Sequence, residues 1–249
     1  MEATIFSTAL RDFGRLKRLP IWILLGAAVF IITRVFFMLP HESVDSIYVN
    51  ISGVIIFRLL ALVSAILATA IVSAEVDQKT IVYLLTRPIP RWKLILFRTL
   101  AAIVVSAVTG LFFGACASFA AYGPNLAANP YFLRDVKGLI IGAAAYTSLF
   151  VFITLLMQKS MVALIFYAFI FELIASRIPG DLKKFSIGAH LEAIAERPSI
   201  GMGGGAGEIP NTLSASSSLP AMIGLIVCSL ACAAWWFSTF EYIPREDGE

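Results

Sequence analysis

Charged residues are scarce in this 249-residue chain, and their scarcity limits the class of protein it can be. Asp, Glu, Lys and Arg make up 14% of the sequence, against roughly 25% in a soluble globular protein. Hydrophobic residues reach 59%, and the mean hydropathy is +0.87. One core of this size cannot enclose so much apolar surface, so the surplus must face lipid. The composition excludes an ordinary soluble domain and predicts a single membrane domain over residues 1–249.

Cysteine and histidine are also rare. The three cysteines all lie within apolar runs, so no disulfide framework is predicted. Cys228 and Cys232 are four residues apart and would share a helix face, which suits a soft metal, but two small packing residues are the simpler interpretation. His41 and His190 lie between apolar runs without a hydrolase or metalloprotease motif around them. Each is therefore interpreted as a solvated loop residue.

Nucleotide-binding motifs are missing as well. No stretch reads Gly-x4-Gly-Lys-Ser/Thr, and the glycine-rich run at residues 201–207 lacks the lysine of a phosphate-binding loop. That run is interpreted as a flexible external segment. We predict no catalytic residue, cofactor or metal in this chain, and no nucleic-acid partner.

Six apolar runs approach or exceed the roughly 20 residues that a helix needs to cross a bilayer. They are residues 20–39, 51–73, 94–122, 138–157, 161–176 and 219–240. The third is longer than needed, the fifth is short, and the fourth and fifth should form a tight helical hairpin. The first is too long for the apolar part of a signal peptide, so no cleavable signal is expected. The predicted fold is all-α, a polytopic membrane protein with six transmembrane helices.

Basic residues predict the orientation, because short loops rich in Lys and Arg stay in the cytoplasm. The loop between the second and third spans carries Lys79, Arg87, Arg91 and Lys93, whereas residues 40–50 contain no Lys or Arg. With an even number of spans, both termini should be cytoplasmic. The protein should lie in the cell membrane, inner or plasma, with residues 177–218 as a long external loop.

The leader, residues 1–18, is interpreted as an amphipathic helix lying in the membrane interface. Apolar side chains recur on one side at helical spacing: Ile5, Ala9, Phe13 and Leu16. Such a helix buries its apolar face in the acyl boundary and sets its basic residues against anionic headgroups, here Arg11, Arg15, Lys17 and Arg18. An ordinary basic flank of the first span is the alternative.

The cytoplasmic loop at residues 74–93 has the pattern of a short helix followed by a turn. Asp77 and Thr80 lie at its start, and its apolar edge is formed by Ile81, Leu84 and Leu85. Pro88 ends the helix, because proline cannot continue it and disfavours a helical Arg87. A short helix with an apolar ridge suits docking into a groove on a soluble partner. A loop that only turns the chain around is the alternative.

Three ionisable residues, Arg34, Arg58 and Glu172, fall inside the apolar runs. An ionisable side chain within a span is a functional hypothesis by default. At about 1.5 Å rise per residue, each lies roughly 20 Å from the cytoplasmic end of its span. Glu172 could therefore pair with Arg58 or Arg34, which would offset the cost of burial. Alternatively, both arginines reach the outer headgroups and Glu172 ends a short span.

The cytoplasmic loop also carries a family resemblance. Its pattern of Glu75, Thr80, Leu84-Leu85, Arg87-Pro88-Ile89 and Arg91-Trp92 resembles the loop after the second span in ABC-2-type ABC transporter permeases. In that family a Glu-x4-Thr run, a Leu-Leu pair and a Ser/Thr-Arg/Lys-Pro turn form the element that engages the ATPase subunit. The leader and the six-span layout are also similar, and the Thr-Ile-x-x-Leu-Leu-Thr-Arg-Pro run most resembles permeases grouped with copper-enzyme maturation.

The resemblance implies a permease of an ATP-driven exporter, with ATP and Mg²⁺ bound by a separate cytoplasmic ATPase. The coupling residues it implies are Glu75, Asp77, Thr80, Ile81, Leu84, Leu85, Arg87, Pro88 and Arg91. A second permease copy or a paralogue would complete a dimer surrounded by membrane lipid. In the family the region equivalent to residues 177–218 forms short external helices over the exit path, and residues 185–196 fit one. A periplasmic partner could contact this region.

Two other classes of function were weighed. A self-sufficient secondary transporter usually has more spans, internal repeats and broken helices, and the sequence shows no internal repeat. An intramembrane enzyme would need His190 or His41 beside a serine or a carboxylate, without a supporting motif. The exporter permease is the preferred hypothesis.

Overall fold

A computed structural model describes residues 2–13, 19–38, 48–49, 51–77, 91–123, 131–157, 160–172, 184–196 and 213–239. Within these residues every regular element is helical. The helices are α1 (Glu2–Phe13), α2 (Leu19–Phe37), α3 (Phe57–Asp77), α4 (Arg91–Tyr122), α5 (Phe132–Leu156), α6 (Ser160–Ile165), α7 (Ile187–Ile194) and α8 (Ala215–Thr239). Two π-helical segments adjoin them: Ser52–Ile56 leads into α3, and Phe166–Phe171 continues α6.

Four helices are long and apolar enough to cross a membrane. They contain Pro20–Phe37, Trp92–Tyr122, Phe132–Leu156 and Ala215–Thr239, at the positions of the first, third, fourth and sixth predicted spans. The all-helical membrane architecture is thus confirmed in the part of the chain that the structure describes. The second and fifth apolar runs hold shorter apolar helices, Phe57–Ile71 and Ser160–Phe171. In both, a π-helical segment interrupts the regular α-helix, and the count of six spans stays a prediction.

The fourth span begins earlier than its hydropathy indicates. The apolar run predicts a start at residue 138, yet α5 begins at Phe132 and includes Arg134, Asp135 and Lys137. Asp135 is buried, and its carboxylate accepts a hydrogen bond from the Tyr48 hydroxyl at 3.0 Å. Because Tyr48, which is remote in sequence, donates this hydrogen bond, Asp135 can be buried within the helical bundle.

α1 packs against α4, and its apolar residues Ala9 and Phe13 are buried in the protein core. The expectation that these two side chains enter the acyl boundary of the membrane is therefore wrong. Arg11 is exposed on the same helix, whereas Arg15, Lys17 and Arg18 lie outside the described residues. A location of α1 at the membrane interface stays a prediction.

α5 is the central helix of the bundle. It packs against α3, α4, α7 and α8, and 61% of its most apolar stretch is buried, compared with 22% in the apolar stretches of α2 and α8. Small residues allow this close approach, because helices in membranes associate through small side chains. Gly142 of α5 is the clearest case, since it faces Leu191 of α7 and Leu60 of α3.

Side-chain contacts show that successive helices alternate in direction. Arg34 near the end of α2 contacts Ala120 near the end of α4, so these helices run the same way. Arg58 at the start of α3 contacts Phe169, which follows α6. We call the end of the bundle that holds Arg34, Arg58, Asp135, Glu172 and Ser218 the polar end.

Replacement of Gly142 by valine should destabilise the bundle. A Cβ atom at this position would lie 2.6 Å from Leu191 Cδ1 and 3.1 Å from Leu60 Cδ2. Overpacking of this kind costs about 1–3 kcal/mol. Thermal unfolding of the detergent-solubilised protein should show a lower Tm for Gly142→Val.

Gly224→Val is the matched control, because a Cβ at Gly224 on α8 has no heavy atom within 4 Å. Its Tm should stay close to that of the unmodified protein. Equal losses of Tm in the two variants would contradict the close packing at Gly142.

Candidate functional site

Arg34 attaches α2 to α4. Its Nη1 donates a hydrogen bond to the backbone carbonyl of Ala120 at 3.2 Å. Nearby, the rings of Phe30 and Phe119 approach with centroids 6.1 Å apart. This hydrogen bond holds Arg34 beside α4.

Arg58 joins the start of α3 to the segment after α6. It follows the π-helical residues Ser52–Ile56, and its Nη1 donates to the carbonyl of Phe169 at 3.5 Å. Phe169 lies in the second π-helical segment, three residues before Glu172. The two π-helical segments thus bring Arg58 and Glu172 into one region.

Glu172 is the buried acid at the centre of the site, with 4% of its surface exposed. Its backbone N–H donates to the Tyr167 carbonyl five residues earlier, which is the π-helical pattern. Its carboxylate accepts from Tyr146 Oη at 2.8 Å and from Ser186 Oγ at 2.5 Å. The Gly188 N–H lies 3.1 Å from one carboxylate oxygen and 3.2 Å from the other. We call Tyr146, Glu172, Ser186 and Gly188 the Glu172 cluster.

The geometry of the Glu172 cluster follows from the start of α7. Ser186 is the N-cap residue of α7, and its Oγ accepts from the Ala189 N–H at 3.1 Å while donating to Glu172. The first N–H groups of a helix lack partners within the helix, and negative charge is favoured there. A Cβ at position 188 would lie 2.9 Å from Glu172 Oε2, so glycine allows the carboxylate to come close. Such charge-assisted bonds are roughly twice as strong as neutral ones.

His190 is buried, with 7% of its surface exposed, so its interpretation as a solvated loop residue is wrong. Its Nε2 lies 2.9 Å from the Lys184 carbonyl, which can only accept, so Nε2 carries the proton. In a neutral ring Nδ1 then accepts from Ser218 Oγ, 3.1 Å away. Ser218 is completely buried at the start of α8. The His190–Ser218 pair joins α7 to α8. Ser218 is buried in this pair and is therefore not an exposed nucleophile. His41 lies outside the described residues.

The far end of α7 is held more weakly. Arg134 of α5 and Glu196, just after α7, form an ion pair at 3.4 Å with exposed fractions of 50% and 62%. Between the two ends, Ile187 and Leu191 are buried in the core. A helix is present at Ile187–Ile194, within the residues 185–196 expected to form one, and packs against α5 and α8. Its external location stays a prediction.

Most of the predicted coupling residues lie outside the described residues. These are Thr80, Ile81, Leu84, Leu85, Arg87 and Pro88. Glu75 and Asp77 belong to the last turn of α3, and Arg91 is the first residue of α4. The coupling role of this loop and the pairing of Arg58 with Glu172 both stay predictions.

Sequence reasoning missed Tyr146, Ser186, Gly188 and Ser218. Ser186 alone carried a usable signal, because a serine directly before an apolar stretch is a common helix N-cap. The others have no local signature, since the tertiary fold selects them as partners of Glu172 and His190.

The cluster hydrogen-bonds the buried carboxylate of Glu172, and its groups are less suited to binding a metal. Each described partner of Glu172 is a hydroxyl or an N–H group. Among the described residues, no group of three or more His, Cys, Asp or Glu side chains could hold a metal ion. Chemically, the Glu172 cluster anchors α7 to α5 and to the segment after α6.

A family model described as "ABC-2 family transporter protein" matches residues 12–175. The matched stretch runs from the end of α1 to just beyond Glu172, and so includes both π-helical segments. A comparison with curated proteins finds no match.

Removal of the Glu172 carboxylate should loosen α7. In Glu172→Ala, two hydroxyls and the Gly188 N–H lose a charged acceptor, with a cost on the order of 3 kcal/mol in the free energy of unfolding. Hydrogen exchange of the α7 amides, measured by mass spectrometry in detergent, should become faster.

Glu196→Ala is the control, because it removes a carboxylate from the exposed end of the same helix. That ion pair should contribute less than about 1 kcal/mol, so exchange in α7 should change little. If Glu196→Ala accelerated exchange as much as Glu172→Ala, the anchoring role of Glu172 would be refuted.

Pairing of Arg58 with Glu172 is testable by a double-mutant cycle. Exchanging the two residues is unsuitable, because an arginine at position 172 would face three hydrogen-bond donors. We therefore compare Arg58→Met, Glu172→Gln and the double variant by thermal unfolding. A direct pair predicts a coupling energy of at least about 1 kcal/mol.

The same cycle with Arg34→Met provides the comparison, because Arg34 contacts α4. The change in unfolding free energy caused by Arg34→Met should add to that caused by Glu172→Gln within about 0.5 kcal/mol. If the Arg58→Met and Glu172→Gln changes in unfolding free energy were additive, a direct Arg58–Glu172 pair would be excluded. If only the Arg34 cycle showed a coupling energy, Arg34 would be the partner of Glu172.

Proposed function

This chain belongs to the ABC-2 family of transporter proteins, and we propose that it is the membrane-spanning permease subunit of an ATP-driven exporter. The match over residues 12–175 carries the proposal. The protein is a membrane transport component with several apolar helices. Export and ATP dependence are our proposal, and the ATPase with its Mg²⁺ would be a separate cytoplasmic chain.

We propose six crossings of the membrane. The helical run over residues 51–77 continues through a π-helical segment and measures about 40 Å at 1.5 Å per residue. The run over residues 160–172 is shorter, but its last residue meets the N-terminus of α7 inside the protein. Non-helical backbone is tolerated at membrane depth where protein buries it. The alternating helix directions support the same count.

We further propose that both termini lie in the cytoplasm of a cell membrane and that the polar end faces outward. The basic loop before α4 supports this orientation, because Lys and Arg favour the cytoplasmic side. In this arrangement α7 covers the outer end of α5. A dimer with a second permease copy or a paralogue would enclose the transport path, and a periplasmic partner would meet the segment around α7.

α3 supplies a mechanical link for coupling. Its C-terminal end leads into residues 78–90, the predicted ATPase contact, and its N-terminal end carries Arg58. About 30 Å of continuous helix separates the two ends. The buried hydroxyls of Ser64 and Ser106 lie 2.8 Å apart and join α3 to α4. Movement imposed on the loop by the ATPase would therefore be carried by α3 and α4 together toward Phe169 and the Glu172 cluster.

The double change Leu84→Asp and Leu85→Asp should abolish association with the ATPase, because it removes the apolar ridge of the coupling loop. The measurement is affinity purification of the tagged chain in mild detergent, with identification and quantification of a soluble subunit that carries a nucleotide-binding motif. Membrane insertion of the variant should be unchanged.

Leu126→Asp is the control, since it places a negative charge in a loop predicted to be external. The ATPase should remain associated with this variant. If the subunit co-purified equally with the Leu84/Leu85 variant, the coupling role of the loop would be rejected. If no such subunit accompanied the unmodified chain in any of several detergents, ATP-driven export itself would be rejected.

A further inference from the structure

The π-helical segment Phe166–Phe171 sets the direction in which Glu172 points. The Glu172 N–H donates to the Tyr167 carbonyl, five residues earlier. In a regular α-helix the donor to that carbonyl would be Phe171, four residues after Tyr167. The segment therefore holds one residue more than an α-helix needs between α6 and Glu172. Conversion of the segment to α-helix, with the sequence unchanged, would turn Glu172 by about 100° around the helix axis.

Glu172 meets its partners in the π-helical register. Its carboxylate lies 2.8 Å from Tyr146 Oη and 3.1 Å from the Gly188 nitrogen. In the α-helical register Phe171 would take the place of Glu172, because Phe171 would then donate to the same backbone carbonyl. A phenyl ring offers no charged acceptor to Gly188. The start of α7 would therefore lose the group that holds it.

Arg58 supports the π-helical register from outside the helix. Its Nη1 donates to the Phe169 carbonyl, inside the π-helical segment, at 3.5 Å. A π-helical turn widens the helix and opens its carbonyls to other partners, so this bond favours the π-helical form. Arg58 is the second residue of α3. The position of α3 is therefore linked to the register of Glu172.

We propose that Phe166–Phe171 is a register switch, which movement of α3 operates by withdrawing Arg58 from Phe169. The segment then becomes α-helical, the Glu172 carboxylate turns away from Tyr146, and α7 is released. Packed helices favour discrete arrangements over continuous deformation, and single π-helical turns within α-helices are frequent at functional sites.

The use of this switch in transport rests on the proposed function, because ATP-driven movement of the coupling loop would supply the displacement of α3. The switch itself is a property of this chain. It is measured on the purified chain without nucleotide or a partner subunit, so a failure of the switch and a failure of ATP-driven export give separate results.

Arg58→Met should accelerate hydrogen exchange of the α7 amides by about ten-fold, because loss of a hydrogen bond from a charged donor shifts the register equilibrium by about that factor. Exchange is followed by mass spectrometry in detergent. Arg34→Met is the control, since Arg34 donates to the Ala120 carbonyl on α4 and should leave α7 exchange unchanged. Equal exchange in Arg58→Met and the unmodified chain would overturn the proposal.

Deletion of Ile170 separates the switch from a direct pair of Arg58 with Glu172. Ile170 is 45% exposed, so its removal disturbs little packing. In the shortened chain Tyr167 lies four residues before Glu172, so a regular α-helix keeps their backbone bond and the direction of the carboxylate. α7 should then exchange as slowly as in the unmodified chain, and adding Arg58→Met should no longer accelerate it. Acceleration by Arg58→Met in both chain lengths would assign Arg58 to a direct pair and overturn the switch.

A full-length variant tests the same switch if the deletion variant does not fold. Glu172→Ala combined with Phe171→Glu places the carboxylate one residue earlier, where the α-helical register directs it toward Gly188. This double variant should regain the slow α7 exchange that Glu172→Ala alone loses. Glu172→Ala combined with Ile170→Glu is the control, because its carboxylate lies two residues earlier and should restore nothing. Recovery in both double variants, or in neither, would refute the register switch.

Discussion

The burial of the Glu172 carboxylate is the constraint on which the polar end of the bundle depends. A carboxylate removed from water must find hydrogen bonds in the protein, because its desolvation is otherwise too costly. Here two hydroxyls and the first turn of α7 supply them. The need to satisfy Glu172 therefore brings α7, which follows the fifth apolar run in the sequence, back against the bundle. α7 then meets α5 at Gly142 and α8 through the His190–Ser218 pair.

The two π-helical segments explain why charged residues and irregular helices occur at the same places. A π-helical turn widens the helix and leaves backbone carbonyls open to other partners. Phe169 lies in such a turn, and its carbonyl accepts from Arg58. Glu172 follows immediately after that turn, and Arg58 follows soon after the first one. Rings pack around the second segment, with Tyr167 stacked on Phe171 and perpendicular to Phe150. This packing holds in place the segment that ends at Glu172.

The two ends of the bundle differ in their chemistry. The polar end contains buried acids and hydroxyls that are satisfied within the protein, and it also carries exposed charges, among them Arg34, Arg134 and Glu196. At the other end α3 ends and α4 begins, and the basic segment at residues 78–90 lies between them in the sequence. α3 and α4 run between these ends and are joined by a buried serine pair. The proposed coupling to a cytoplasmic ATPase needs such a connection, because ATP-driven movement of the loop at one end must change the contacts at the other.

The sequence by itself determined the membrane class, the positions of the apolar helices and the unusual residues within them. Hydropathy and charge are local properties, so runs such as residues 94–122 and 219–240 were readable without a structure. Only the tertiary structure decided which groups those unusual residues meet. Tyr146 and Ser186 became partners of Glu172, and His190 became buried, because the bundle must satisfy each polar group that it encloses. Helix packing sets those contacts, and residues far apart in the chain share no local pattern that reveals them.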